Sequence, residues 1–308
     1  MRVTSYDDTV AAALASVSTA CLASDGRDPL DEAARLHLAH HGLRDAALWL
    51  TRDGFALLRR HADRSELDLA VSPGARRAGI GRALLDAALA DSGLTGPTGP
   101  VPAGGTSADV PPTTAWSHGD HPAAAALAAA TGFRRTRELL VLAVDTQVAI
   151  RSAGQARAAS GVATDRWRIR PWRPGDDDAL LRVNAAAFAG HPEQGSMDAD
   201  RLAERRAEPW FDPAGLLVAT DATDTLVGFH WTKVHANGHG EVYVVAVDPS
   251  QHGRGLGRAL LVAGLAHLES VDCPRVHLYV EADNAPALAL YRGLGFATDH
   301  AHVQYARP

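Results

Sequence analysis

Along the C-terminal half, short apolar runs alternate with stretches in which apolar residues recur every three to four positions. Tyr243 to Val247 is an apolar run rich in β-branched residues, stopped by Asp248-Pro249, which is how a strand reads. After a glycine-rich turn the period changes, and a helical pattern runs from Leu256 to about Glu269. Upstream, the pattern predicts a strand at 167–171, a helix from Asp176 to Phe188, a helical segment at 198–207 and strands at 215–220, 225–234 and 240–247. Downstream it predicts a strand at 275–280, a helix at 285–294 and a closing strand near 303–306. Runs of strands broken by helices make the fold class α/β (α+β).

The first half repeats this order more loosely, with the alanine-rich 122–130 read as helix. Residues 69–89, LAVSPGARRAGIGRALLDAAL, align with 245–265, VAVDPSQHGRGLGRALLVAGL, at an offset of 176. Gly132-Phe133 aligns with Gly295-Phe296 at an offset of 163, so the first half is 13 residues longer between its two motifs. The excess lies in the Gly/Pro/Thr/Ser tract 92–112, expected to be a flexible surface loop. Residues 151–165 are small and polar with no apolar period, as in a linker. The expectation is a tandem duplication: a domain over 1–147, a linker over 148–165 and a second domain over 166–308.

Composition adds exclusions. With 46% hydrophobic and 21% charged residues in 308, each half can form a core of ordinary soluble type. A net charge of −6 gives no long-range attraction for nucleic acid or an anionic membrane. The opening MRVTSYDDTV has no apolar signal core, and no stretch approaches the roughly 20 apolar residues that span a bilayer. A cytoplasmic monomer is expected. Cys21 and Cys273 are too few for a disulfide framework or a zinc site and read as buried thiols.

The turn after Val247 has a chemical use. Gly253, Gly255 and Gly257 let the backbone bend and be approached closely, and the amides that open a helix point outward with the positive end of its dipole behind them. Such a turn suits a pyrophosphate, and Arg254 and Arg258 add charge. A dinucleotide fingerprint fails because Arg258 stands at its last glycine, and the Gly-Lys-Ser/Thr of a triphosphate loop is absent. The spacing His252-x-x-Gly255-x-Gly257 resembles the coenzyme A loop of the GNAT acetyltransferases, with His252 in place of the usual Gln or Arg. The later run Asn284-x-x-Ala287-x-x-x-Tyr291-x-x-x-Gly295-Phe296 is similar to that family's closing strand-helix element.

The resemblance implies two tandem GNAT domains, each a mixed central sheet flanked by helices, and acetyl-CoA as cofactor with no metal. It places the cofactor on Val245, Ala246, Val247, His252, Gly253, Arg254, Gly255, Leu256, Gly257, Arg258, Asn284, Ala285, Pro286, Ala287, Leu288 and Ala289. A second coenzyme A is expected on the repeated loop of the first half, at Leu69, Ala70, Val71, Arg77, Ala78, Gly79, Ile80, Gly81 and Arg82. Acetyl transfer to an amine needs a base, an acid for the departing thiolate and donors for the oxyanion. Glu241 opens the central strand, and period two places it with Tyr243, Val245 and Val247, on the face leading to the loop; the resemblance, in which a carboxylate base stands on this strand, makes it the expected base. By resemblance Tyr291 is the acid and the Val247 amide the oxyanion donor. The first half has Ala128 opposite Tyr291, His121 opposite Asn284 and Ser65 opposite Glu241, with Glu66 expected on the other face, so it is expected to be catalytically inactive.

The whole chain also resembles the mycothiol synthases, tandem GNAT enzymes that acetylate the cysteinyl amine of a cysteinyl-glucosaminyl-inositol. The segments His191-Pro192-Glu193-Gln194-Gly195 and Trp231-Thr232-Lys233-Val234-His235 carry that likeness most specifically. It implies a small-molecule amine held by Glu32, Glu193, Lys233, Glu241 and Tyr279, with Glu32 coming from the first half. Charged groups with several hydrogen-bonding atoms suit a sugar and an inositol. His230, His235 and His239 invite a metal reading, set aside because no carboxylate or thiolate completes a ligand set and the transfer needs no metal. A GNAT enzyme for another amine, an acyl-coenzyme A sensor and a structural module remain the alternatives.

Overall fold

The computed structural model describes residues 1–92, 112–160, 166–190 and 194–307. The tract at 92–112, its two end residues apart, lies outside them, as does Glu193 with its neighbours His191 and Pro192. The chain forms two compact units, Met1–Leu139 with Ala301–Pro308, and Leu140–His300.

The elements are β1 (Arg2–Val3), α1 (Asp8–Asp25), α2 (Glu32–His41), β2 (Ala46–Thr51), β3 (Gly54–Arg60), β4 (Ser65–Val71), α3 (Ile80–Ser92), β5 (Thr113–Ser117), α4 (Pro122–Ala130) and β6 (Arg134–Asp145). They continue as α5 (Thr146–Ser160), β7 (Arg168–Pro171), α6 (Asp177–Ala187), α7 (Ala199–Ala207), β8 (Leu216–Thr220), β9 (Leu226–Val234), β10 (Gly240–Val247), α8 (Leu256–Ser270), β11 (Arg275–Glu281), α9 (Ala285–Arg292) and β12 (Ala297–Arg307). Among the described residues no helix is long and apolar enough to cross a membrane.

In the first unit the strand order is β1-β2-β3-β4-β5, followed by the end of β12, with Val303↔Ser117 and Arg307↔Thr113 as ladder partners. In the second it is β7-β8-β9-β10-β11, followed by the end of β6. The same parallel pair recurs, β4 with β5 and β10 with β11, inside otherwise antiparallel ladders. In the second unit α8 packs Leu261, Leu265 and Leu268 against Val242, Val276 and Leu278, while Leu180, Val183 and Leu202 from α6 and α7 cover the opposite face with Val244 and Ala246.

Two boundaries differ from those expected. The linker expected over 148–165 is helical as far as Ser160, with 161–165 outside the described residues. Ala149 and Ala153, one turn apart, are buried in the core that holds Leu142, Val144, Val242 and Leu261. Alanines buried at that spacing leave no large apolar residues for a periodicity to register. The unit boundaries also fall inside β6 and β12, so the first compact unit is made of two separate runs of sequence and the second is the single run between them.

β10 carries a β-bulge. Its ladder with β9 runs from Gly240↔Val234 to Val247↔Gly228 and shifts between Val242 and Val244, which leaves Tyr243 as an extra residue. Strict period two fails there. Val245 packs on the α8 side with Val242, and Tyr243, Val244 and Ala246 take the opposite face. Glu241 therefore does not share a face with Val245 and Val247. β4 has no such bulge, since its ladder with β3 is uniform from Ser65↔Arg60 to Val71↔Gly54.

Candidate active site

Register puts three functional side chains in one row. Glu241 on β10 stands opposite Lys233 on β9 and His277 on β11. One pleat further on, Trp231, Tyr243 and Tyr279 continue the same face. The pairing of β10 with β11 spans Gly240–Val242 and Val276–Leu278, whereas β10 stays paired with β9 up to Val247. The parallel strands part beyond Val242, so the row stands at the closed end of a cleft whose open end leads to the glycine loop.

Aromatic rings floor this face. The Lys233 ammonium lies 4.6 Å from the Trp210 ring centre and 5.3 Å from that of Tyr243, both cation–π distances. Trp210 and Tyr243 meet edge to face at 5.0 Å, and Arg205 on α7 donates to the Tyr243 hydroxyl at 3.0 Å. The helical segment at 198–207, α7 here, thus fixes one wall of the site. Tyr279 is 43% exposed, with its ring 5.7 Å from that of His277.

Glu241 is held between two imidazoles. His235 Nε2 is 2.6 Å from Oε2, and His277 Nε2 is 3.7 Å from the same oxygen. Burial pushes the Glu241 carboxyl up, but the His235 hydrogen bond and the charges of His277, His235 and Lys233 outweigh it and hold it below the usual carboxylate value. Burial pushes His277 down, against the pull of Glu241. The three histidines considered from sequence do not converge: His230 is fully buried, its Nδ1 2.9 Å from the Leu260 carbonyl oxygen under α8. His235, Glu241 and His277 do bring ligand atoms within 4.8 Å of one another. The Lys233 ammonium facing the same carboxylate disfavours a dication there, and the cluster is read as hydrogen-bonded.

At the open end, Gly255 caps α8 in a left-handed conformation, φ 90, after Gly253 at φ 72. His252 Nε2 lies 3.2 Å from the Val247 carbonyl oxygen, where β10 ends. In the first unit Arg76 Nε donates to the Val71 carbonyl at 3.0 Å. The first motif position ties the loop back to the strand in both repeats, and histidine does this as arginine does. Arg258 Nη2 is buried with no hydrogen-bond partner, which leaves it able to donate to an anion. The Ala246, Leu256 and Leu288 side chains are buried in the core, so these residues, like the loop glycines, can offer only backbone to a cofactor. Asn284 Oδ1 caps α9 by accepting from the Ala287 amide. Burial pushes the Tyr291 phenol up to about 12, so it keeps its proton throughout the neutral range.

The first unit keeps more of the site than its sequence suggests. Because the bulge inserts one residue into β10 and none into β4, the ladder counterpart of Glu241 is Glu66, not Ser65. Glu66 pairs with Arg59 and Thr114 as Glu241 pairs with Lys233 and His277. His61 Nε2, at 3.3 Å, repeats the His235 contact. Glu66 is pinned, with Arg59 at 3.3 Å and Arg64 at 2.9 Å. Burial raises its carboxyl, yet His61, Arg59 and Arg64 hold it at about 2. Arg59 also contacts Asp68 at 3.2 Å and Asp31 at 3.6 Å, so ion pairs occupy the face that aromatic rings floor in the second unit. His121 caps α4 through Nδ1, doing what Asn284 does for α9, while Ala128 is core. The repeated loop has Gly79 at φ 82 and Arg77 at φ 65. A cavity of about 480 Å³ in this unit is lined by all the expected first-half cofactor residues except Ala78. Arg82 there is engaged by Asp86 at 2.8 Å. Glu32 opens α2 of this unit, next to the capping Asp31. Cys21 and Cys273 are both buried and free.

Likeness to known proteins bears on the family and the fold. Residues 180–296 match the Acetyltransferase (GNAT) family. A mycothiol acetyltransferase of Nocardioides sp. is 50% identical over 96% of this chain and 97% of its own length. Those of Clavibacter michiganensis and Salinispora arenicola are each 44% identical, over 92% and 99% of this chain and 87% and 97% of their own. Among solved structures, a tandem GNAT protein from the clavulanic acid biosynthesis pathway aligns over 100% of this chain and 98% of its own, with a TM-score of 0.68 and 21% identity. A GCN5-related N-acetyltransferase from Sphaerobacter thermophilus covers 99% and 95% at a TM-score of 0.66 and 20% identity. These two likenesses establish the tandem GNAT fold, and the full-length identity to the curated relatives establishes more: the chain belongs to the mycothiol acetyltransferase family of GNAT acetyltransferases.

Proposed function

We propose that this acetyl-CoA-dependent N-acetyltransferase transfers acetyl to the cysteinyl amine of a cysteinyl-glucosaminyl-inositol, forming mycothiol, and that the second unit alone does the chemistry. The observation that carries the reading is the Lys233–Glu241–His277 row at the closed end of a cleft whose other end bears the coenzyme A loop. Acetyl-CoA would lie with its pyrophosphate on the amides opening α8, near Arg254 and Arg258, and its thioester where β10 and β11 part. The bend before Asp248-Pro249 would leave the Val247 amide for the oxyanion.

In this scheme the amine enters over Tyr279 and the Trp210–Tyr243 wall, with Lys233 and Glu241 binding its polar groups. Glu241 supplies the negative charge that draws the ammonium proton away. Tyr291, still protonated, hydrogen-bonds the sulfur and covers the thiolate as it leaves. Glu32 and Glu193 join the substrate contacts through the resemblance alone. The first-unit cavity is proposed to hold a second coenzyme A without turnover, since Ala128 offers no acid and Glu66 is pinned.

The test is release of coenzyme A thiol from acetyl-CoA with the cysteinyl-glucosaminyl-inositol against a blank lacking the amine. Wild-type release well above blank is expected, falling about 100-fold or more in Glu241→Ala and by a similar order in kcat in Tyr291→Phe. Release with other amines but not this one would leave the acetyltransferase and remove the substrate. A Tyr291→Phe variant of undiminished rate would remove the acid.

A further inference from the structure

We propose that the first-unit cavity selects a coenzyme A thioester whose acyl chain is longer than acetyl, butyryl to hexanoyl, with the hydrocarbon end in the space that Ala128 leaves beside Phe133. The proposal deepens the reading above and rests on it for the coenzyme A itself.

The cavity has two unlike ends. Its walls include Arg77, Gly79 and Gly81 of the repeated glycine loop, and also Leu67, Leu85, Leu127, Ala128 and Phe133. Leu67, Leu85, Ala128 and Phe133 are buried members of the unit's core, and Leu127 and Tyr305 pack against it. The loop end suits phosphate. The other end is a pocket let into the core.

In the second unit a phenol fills this place. The counterparts of Leu67, Leu85, Leu127, Ala128 and Phe133 are Val242, Leu261, Leu290, Tyr291 and Phe296, which share one core. The Tyr291 and Phe296 rings meet edge to face, with their centres 5.9 Å apart. Ala128 removes the phenol from that contact, and Phe133 lines the cavity instead. In the scheme proposed for the second unit Tyr291 hydrogen-bonds the sulfur, so the room freed at Ala128 lies beside the thioester, where an acyl chain begins.

The chemistry of the walls favours hydrocarbon. The leucines, Ala128 and Phe133 offer no polar side-chain atom, and the Tyr305 hydroxyl is directed to Asp120 at 3.4 Å. Water held there would find few partners. Acetyl is too short to fill the space of a phenol, and an unfilled apolar pocket forfeits dispersion contacts along its lining. Each methylene added to the chain is worth about 0.8 kcal/mol on burial, about fourfold in affinity, until the space is full. Nothing in this unit then consumes the thioester, since Ala128 provides no acid and Glu66 is engaged by Arg59 and Arg64.

The experiment is isothermal titration calorimetry of the full chain with coenzyme A, acetyl-CoA, butyryl-CoA and hexanoyl-CoA, for wild type, Ala128→Tyr and Ala128→Leu. Both substitutions lie in the first unit, so their difference from wild type reports that unit. In wild type the first-unit event should tighten about tenfold or more from acetyl-CoA to butyryl-CoA. Ala128→Tyr installs the side chain that the second unit carries here. It should abolish the gain from the longer chain while changing the affinity for coenzyme A less than about threefold. Ala128→Leu fills the space in part and should lose part of the gain; it decides the matter if Ala128→Tyr does not melt cooperatively. Equal first-unit affinity for acetyl-CoA and butyryl-CoA in wild type overturns the proposal, as does a gain kept in the filled variants or a loss as large for coenzyme A as for butyryl-CoA. A single binding event per chain for every ligand, unaltered by either substitution, would remove the reading that the first unit holds coenzyme A, and the proposal with it.

Discussion

At the scale of single residues, the two homologous carboxylates show how neighbours decide what one side chain can do. Glu241 and Glu66 occupy the same ladder position, each opposite a cation and beside a histidine. Glu66 has Arg59 and Arg64 within 3.3 Å as well, and titrates at about 2. A carboxyl whose folded value lies below its unfolded one stabilises the fold above the unfolded value, and that contribution disappears as pH falls through the folded one. For Glu66 the window runs from about 4.5 down to about 2, and at about 1.4 kcal/mol per pH unit the contribution is on the order of 3 kcal/mol at neutral pH. Its side chain is 12% exposed, so solvent screens little of it. Glu66→Gln should therefore destabilise the first unit by that order at pH 7, by less at pH 3.5, and leave acetyl transfer by the second unit unchanged. Urea unfolding at the two pH values checks it; a variant as pH-sensitive as wild type would show that Glu66 carries none of this dependence.

Among elements, the strand-loop-helix at 243–261 was legible because its signals are local: β-branched residues, a proline stop, glycines at fixed spacing. The bulge at Tyr243 was not. It exists only in the register between β9 and β10, and one unseen extra residue exchanged Glu66 for Ser65 as the counterpart of Glu241 and put Val245 on the wrong face. His277 escaped notice for the same reason, since its place beside Glu241 depends on pairing across 36 positions of chain. The repeat also predicts which loop glycine matters. Gly253 at φ 72 corresponds to Arg77 at φ 65, so a side chain is tolerated there. Gly255 at φ 90 corresponds to Gly79 at φ 82, beyond the left-handed region that other residues reach. Gly253→Ala should shift the KM for acetyl-CoA less than about threefold, and Gly255→Ala should raise it about tenfold or more by turning the amides of α8. Equal effects would show that this backbone conformation does not govern binding.

For the whole molecule, composition and periodicity revealed two repeats but not where to divide them. β6 and β12 each run through a unit boundary, and the last residues, Ala301–Pro308, belong to the first unit. There Val303 is fully buried, and Tyr305 packs against the core that includes Leu67, Leu84 and Phe133. A fragment of residues 1–147 lacks that strand, so β5 keeps β4 but loses its antiparallel neighbour, and an unpaired edge over exposed apolar surface favours aggregation. A fragment of residues 166–308 loses Leu142, Val144, Ala149 and Ala153 from a core shared with Val242 and Leu261. Removing four side chains from one close-packed cluster costs several kcal/mol, comparable with the whole stability of a domain. Neither fragment should show a cooperative thermal transition. A fragment of residues 140–300 restores the second core and should unfold cooperatively. Residues 1–139 should do so only when 297–308 is fused through a flexible linker. Circular dichroism melts of the five fragments would decide the matter, and a cooperative transition from residues 166–308 would show that α5 and the end of β6 are dispensable to the second unit.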